Sequence, residues 1–295
     1  MPDQFEISVP ASIANLGPGF DTLAVAVQLY LRLRVKIAPG TNQLQFRFLN
    51  AQIDGENYIE RAFLFLARQR GAEFPSLDID VETDIPTKSG LGSSAAATVA
   101  GLRLYEAIAG PLPEQGLLNA ACALEHHPDN VAAALLGGLT ISCQLPDRSV
   151  AAVQMRWPPQ LEFIVLTPHI PLATVESRRV LPDCIAREDA VFNLQRVALL
   201  LRSLQSEDFS LLREALCDRL HQPFRQELVP GLERALALQH PDLMGVCLSG
   251  AGPSVVALAT HNFQEIANLL RGSFSETGLT CCVRRLQVHE HSSST

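Results

Sequence analysis

Over residues 29–37, Leu29, Leu31, Leu33, Val35 and Ile37 alternate with Tyr30, Arg32, Arg34 and Lys36. A period of two places the apolar set on one face, so this stretch predicts a half-buried strand. LQFRFLN (44–50) predicts a second strand after the turn signal PGTN, and the two are expected to form a hairpin. NYIERAFLFLARQRG (57–71) has helical spacing and stops at a glycine, the residue that best tolerates a left-handed C-terminal cap. LDIDVETDIP (77–86) alternates again and ends at proline. An Ala/Leu-rich helix is expected over 93–109 and another over 114–125, leading into HHPDNVAAALLGGLTISCQL, whose glycine pair separates a helical turn from a strand.

From about residue 145 the pattern changes. The turn-rich PDRSV and RWPP precede LEFIVLTP (161–168), a continuously apolar strand. Helices are expected over 187–205, 208–221 and 230–240, and the strands in GVCLSGAGPSVVALA and GLTCCVRRLQV bracket a helix at 262–272. The tail HEHSSST reads as a frayed end. Both halves mix strands and helices, so the expected fold is α+β in two domains, 1–155 and 156–295.

The composition removes several classes of function. No apolar run approaches the roughly 18 residues of a membrane helix, and MPDQFEISVPAS has no basic region ahead of an apolar one. A secretory leader is therefore not expected, and a cytosolic location is. The formal net charge of −8 argues against a nucleic-acid surface, which needs a positive stripe to displace counterions. Seven cysteines without a CxxC pair read as reduced thiols, with Cys122, Cys143 and Cys247 in apolar runs and expected in the core.

The chemistry begins at PTKSGLGSSAAA (86–97), where two glycines and three serines precede a helix. A helix N-terminus has unpaired N–H groups and a partial positive charge, glycines let the backbone approach an anion, and serines donate to phosphate or ligate Mg²⁺. The P-loop pattern fails, because Ser93-Ser94 follow Gly92 where Lys-Ser/Thr is required. The dinucleotide fingerprint matches Gly90, Gly92 and Ala95, but PTKS separates the strand from the first glycine and Glu106 lies inside the same helix. A glycine turn with Ser93 or Ser94 as a simple N-cap is the plainer alternative. Two more glycine-rich turns, ASIANLGPGFD (11–21) and LSGAGPS (248–254), also follow apolar strands.

Together and in this order, the three segments resemble the GHMP kinase superfamily, and most closely its homoserine kinases. VPASIANLGPGFDTLAVAV, the phosphate motif Pro-x3-Gly-Leu-Gly-Ser-Ser-Ala, EHHPDNVAAALLGG, TVESRRVLP and HQPFR carry the resemblance. It implies a ribosomal S5 domain 2-like N-terminal half, a ferredoxin-like C-terminal half and a cleft between them. The implied reaction is ATP-dependent phosphorylation of the side-chain hydroxyl of L-homoserine, on the route to threonine, with Mg²⁺. The resemblance makes Asn15, Asp21, Asn130, Thr174, Arg178 and Arg225 the substrate residues, with Asn130 and Arg178 closest to catalysis. ATP would lie on Pro86, Lys88, Ser89, Gly90, Leu91, Gly92, Ser93, Ser94, Ala95 and Ala96, with Gly250 and Gly252 beneath it and Asn57 near adenine. Ser94 and Glu125 would ligate Mg²⁺.

Three departures from the family pattern stand near the motifs: His126 and Ala24 where glycine is common, and Ser89 where arginine is common. No dedicated base is evident; Asp129 is the only acid beside the substrate motif. His126, His127 and Asp129 are not expected to share a metal ion, since adjacent helical residues point about 100° apart. Lys88 is expected in solvent, and Arg178, one turn from Thr174, is expected inward of Arg179. Other readings are a GHMP kinase for a different small alcohol, such as mevalonate, or a catalytically silent ligand-binding relative. A homodimer is one expectation for a cleft enzyme of this size, with no interface located by the sequence.

Overall fold

The computed structural model describes residues 3–51, 55–71 and 73–290. The chain builds two sheets. The first contains β1 (Gln4–Ala14), β2 (Leu23–Thr41), β3 (Leu44–Phe48), β4 (Pro75–Thr83), β5 (Leu139–Gln144) and β6 (Val150–Met155), in the order β3-β4-β2-β5-β6 with β1 also on β2. Helices α1 (Tyr58–Arg70), α2 (Ser93–Ala109), α3 (Glu114–Glu125) and α4 (Asp129–Leu136) belong to the same half. The 29–37 alternation lies in β2, where Leu31, Leu33 and Val35 are at most 4% exposed.

The expected hairpin between 29–37 and 44–50 does not form. β3 pairs in parallel with β4, and β4 takes the edge of β2 instead. β4 contributes Leu77, Ile79 and Val81 to the core, whereas the residues of β3 are only partly covered or exposed. The strand whose apolar face is fully buried occupies the inner position and the partly covered β3 the edge, with α1 as the crossover that parallel pairing requires.

β4 covers the edge of β2 over Leu31–Thr41 and β5 covers it over Leu23–Val25. The stretch between them is met by the chain's C-terminal segment. Gln28 N–H donates to the Gln287 carbonyl, His289 N–H to the Ala26 carbonyl, and Val27 bridges Val288. The expected frayed tail is thus held as far as His289; residues 291–295 lie outside the described residues.

The second sheet contains β7 (Glu162–Pro168), β8 (Leu243–Leu248), β9 (Val255–Ala259) and β10 (Cys281–Leu286), all antiparallel, in the order β10-β7-β9-β8. Helices α5 (Thr174–Arg179), α6 (Arg187–Ser206), α7 (Leu212–Ala215), α8 (Gln222–Arg225) and α9 (Leu232–Leu236) lie between β7 and β8, and α10 (Phe263–Gly272) between β9 and β10. This succession and strand order make the ferredoxin-like arrangement. All of β7 is buried because alternate residues serve two cores: Phe163 and Val165 face the large core shared with the first sheet, α6 and α7, and Ile164 and Leu166 face the core under α9 and α10.

The helix expected over 208–221 shrinks to the single turn of α7, and that over 230–240 to α9. Past α7 the Asp218 carboxylate accepts from the N–H groups of Leu220, His221 and Gln222, at 2.7–3.0 Å. Side-chain capping of this kind competes with helix continuation.

Candidate active site

The phosphate loop joins β4 to α2 and is clamped from both sheets. Ser12 N–H donates to the Leu91 carbonyl, Ser254 N–H to the Ser89 carbonyl and Leu172 N–H to the Lys88 carbonyl. The Ser89 hydroxyl is buried and donates to the Pro86 carbonyl, 2.7 Å. Gly90 and Gly92 are left-handed, φ 79° and 69°. A β-carbon on Gly90 would sit 2.3 Å from the Ser249 carbonyl oxygen, and one on Gly92 would sit 2.1 Å from the Ser12 hydroxyl. Both positions therefore require glycine by conformation and by space.

The first i−4 bond of α2 runs from Ala96 N–H to the Gly92 carbonyl, and no side chain caps the helix among the described residues. The N–H groups of Ser93, Ser94 and Ala95 precede that bond and form the electropositive end of a 17-residue helix. Leu91, Ala95 and Ala96 are buried, so they can offer only backbone to a ligand. Lys88 is exposed with φ 52°. Asn57 lies at the N-cap of α1, its Oδ1 accepting from the N–H groups of Ile59 and Glu60.

Beside this helix end, the Glu125 side chain is 7% exposed. Its carboxylate accepts from the hydroxyls of Ser94 (2.7 Å) and Thr98 (2.8 Å) and pairs with Arg61 at 3.1 Å. Arg61 and Thr98 escaped the sequence reading, because each is an unremarked position on its helix and only packing brings it to Glu125. Next to Glu125, His126 is exposed and is the left-handed cap of α3, φ 67°. The position has the conformation glycine adopts most easily, and the side chain is solvent-exposed. Ala24 is fully buried among Ala14, Ala26 and Ala133.

A second cluster forms where the ASIANLGPGFD turn meets α4, α5, α8 and the 249–252 turn. Asp21 and Arg178 form a two-pronged ion pair, 2.5 and 3.0 Å. Asn15 Nδ2 and Arg225 Nη1 both donate to the Gly250 carbonyl, at 2.9 and 3.0 Å. The Ser12 hydroxyl donates to Asn130 Oδ1, 2.7 Å, fixing that amide beside Gly92. Gly252 N–H donates to the Ser249 carbonyl to close the turn. Thr174 opens α5 and is exposed one turn from Arg178, while Arg179 points to solvent.

Charge in this cluster is unevenly hydrated. Arg225 is 1% exposed, and burial, with the like charge of Arg178, lowers its pKa to about 10, so it remains a cation at neutral pH. Asp129 is 2% exposed at the start of α4, and its Oδ1 accepts from Asn130 N–H and lies 3.3 Å from His127 Nδ1. Burial works against charge on His127, but the Asp129 carboxylate outweighs it and raises the imidazole pKa. Among the described residues no three His, Cys, Asp or Glu side chains form a metal cage, and no helix is long and apolar enough to cross a membrane.

The uncapped start of α2, with the Ser94–Glu125 contact on one side and the Ser12-bound Asn130 amide on the other, goes with the class the family match gives, the GHMP kinases. The GHMP kinases N terminal domain family matches residues 57–138 and the GHMP kinases C terminal family matches residues 200–275. Homoserine kinase of Desulfitobacterium hafniense is 38% identical over 287 residues, 96% of each chain. That of Saccharomyces cerevisiae is 34% identical, again over 96% of each. The crystal structure of homoserine kinase from Cytophaga hutchinsonii superposes with a TM-score of 0.87 at 27% identity, covering 98% of this chain and 96% of that one. The chain belongs to the homoserine kinase family.

Proposed function

We propose that the protein transfers the γ-phosphoryl group of ATP to the side-chain hydroxyl of L-homoserine, yielding ADP and O-phospho-L-homoserine for threonine synthesis. The observation that carries the choice of substrate is the Asp21–Arg178 pair beside buried Arg225. A zwitterionic amino acid can replace both halves of that ion pair at once, its ammonium on Asp21 and its carboxylate on Arg178 and Arg225. An uncharged alcohol would have to break the pair and return nothing.

The hydroxyl oxygen attacks the γ-phosphorus as the bond to the bridging β-oxygen breaks, and the hydroxyl proton passes to a phosphoryl oxygen and from there to water. Asn130, fixed by Ser12, orients that hydroxyl, and the N–H groups at the start of α2 face the charge building on the phosphoryl oxygens. Holding the two substrates in line is the main contribution of these residues. The Ser94 hydroxyl and the Glu125 carboxylate fit Mg²⁺, a hard cation usually bound by one or two protein oxygens together with phosphates and water. Mg²⁺ bound there would supply charge neutralisation on the phosphates. Arg61 already balances Glu125, so the site stays neutral when empty of metal.

The test is ADP release with Mg-ATP across L-homoserine, D-homoserine, mevalonate, shikimate and galactose. Saturable stimulation by L-homoserine alone is expected, and Arg178→Glu is expected to remove it while calorimetry still detects ATP binding. Stimulation by mevalonate or a sugar instead would overturn the substrate assignment.

A further inference from the structure

The HQPFR segment holds a histidine that the reaction itself does not use. His221 is fully buried. Its Nε2 lies 2.8 Å from the Gly17 carbonyl oxygen and its Nδ1 lies 3.0 Å from Arg225 Nη1. A carbonyl only accepts and a guanidinium only donates, so one protonation state satisfies both contacts: neutral imidazole with its hydrogen on Nε2. A second ring proton would point at the Arg225 N–H.

The ring is held from every side. Phe20 stacks on it at 5.2 Å, and the Asp218 carboxylate accepts its backbone N–H. Asp218 Oδ1 in turn accepts from Asn193 Nδ2, which also donates to the Pro18 carbonyl. The charged groups facing His221 are Asp218 from the preceding turn, Arg225 from α8 and Asp21 from the first loop. Among the described residues Arg225 donates to neutral acceptors, His221 Nδ1 and the carbonyls of Ser177 and Gly250. Among the described residues its Nη2 has no protein partner.

We propose that neutral His221 is a positioning residue for the carboxylate end of the substrate site. It bonds the Gly17 carbonyl of the first loop and the Arg225 guanidinium into one rigid piece, so that Arg225 presents its remaining N–H groups to a substrate carboxylate in a fixed orientation. It acts on the amino-acid substrate and leaves the phosphate loop untouched. The inference rests on the homoserine kinase reading, in which Arg225 meets that carboxylate.

Two substitutions separate the ring's two bonds. In His221→Asn the amide oxygen takes the place of Nδ1 and can still accept from Arg225, but nothing reaches Gly17. In His221→Gln the amide nitrogen takes the place of Nε2 and can still donate to Gly17, but Arg225 loses the ring acceptor and keeps only the Ser177 and Gly250 carbonyls among the described residues. Steady-state kinetics should give His221→Gln a KM for L-homoserine raised by about tenfold or more. His221→Asn, which keeps the Arg225 acceptor but cuts the link to Gly17, should raise it by less, about threefold, and both should keep the KM for ATP within about twofold. Equal homoserine KM values in the two variants, or homoserine and ATP KM values rising together, would overturn the proposal. If neither variant folds, ¹⁵N ring NMR of the wild-type protein decides. The His221 ring should be the Nε2–H tautomer with shifts unchanged from pH 8 to 5.5, and an Nδ1–H tautomer or a midpoint near 6.5 would refute it. A wild-type protein inactive on homoserine overturns the functional reading instead, and the ring's tautomer is read independently of it.

Discussion

Replacing Gly90 by alanine tests whether the phosphate loop and the 249–252 turn act as one interlocked unit. The added β-carbon would lie 2.3 Å from the Ser249 carbonyl oxygen and 2.8 Å from that of Gly252. Both are backbone atoms, so no side-chain rotation relieves the contact. A left-handed alanine costs about 1–2 kcal/mol, and forcing the two turns apart adds about 1–3 kcal/mol. Breaking the 2.7 Å bond from the Ser249 hydroxyl to the Gly90 carbonyl removes about 1 kcal/mol more. The total, roughly 3–6 kcal/mol, corresponds to a fall in Tm of about 5–10 °C in a chain of this size. Gly116→Ala is the matched control: Gly116 lies in α3, and a β-carbon there meets nothing within 4 Å. It should be neutral or stabilise by up to about 1 kcal/mol. Thermal unfolding of the three proteins and their KM for ATP measure the effect. If Gly90→Ala melts within about 2 °C of wild type and binds ATP normally, the interlock has no energetic weight and the argument fails.

Glu125→Gln keeps the shape of the Ser94 contact but removes its charge, so the Mg²⁺ concentration for half-maximal ADP release should rise by about 10–100-fold; an unchanged Mg²⁺ titration would remove Glu125 from the metal site. On the acid side, burial lowers the His221 pKa to about 4, whereas the unfolded chain binds that proton near the ordinary value of about 6.5. The unfolded state therefore gains protons first as pH falls from about 6.5 towards 4, and the native state loses about 3 kcal/mol across that window and none above it. His127, with its raised pKa, has the opposite sign: its contribution is full below the ordinary value and is lost as pH rises through the raised one. Urea midpoints at pH 7, 5.5 and 4.5 should therefore fall more steeply for wild type than for His221→Asn, and parallel curves would contradict the buried neutral ring.

Much of the local structure was readable in the sequence. The helices over 93–109 and 114–125, the glycine pair ending α4 and the alternation in β2 follow from side-chain period and from Gly and Pro at the ends. What failed was non-local or polar. The hairpin assigned to 29–50 gave way to parallel pairing with β4, because which strand is inner depends on the core as a whole. The helix assigned to 208–221 gave way to an Asp218 cap, because its hydrogen-bond partners are set by the turn that follows.

The site divides in the same way. The phosphate loop is contiguous, so its glycines, serines and helix start could be read in one stretch. By itself the sequence determined a glycine- and serine-rich turn at the start of a long helix, two mixed halves and a set of family motifs. Tertiary structure alone decided that Asp21 and Arg178, 157 positions apart, neutralise one another, that Arg61 balances Glu125, and that His221 stands neutral between Gly17 and Arg225. Charge balance and protonation depend on distance and burial, and both quantities exist only once the chain has closed on itself.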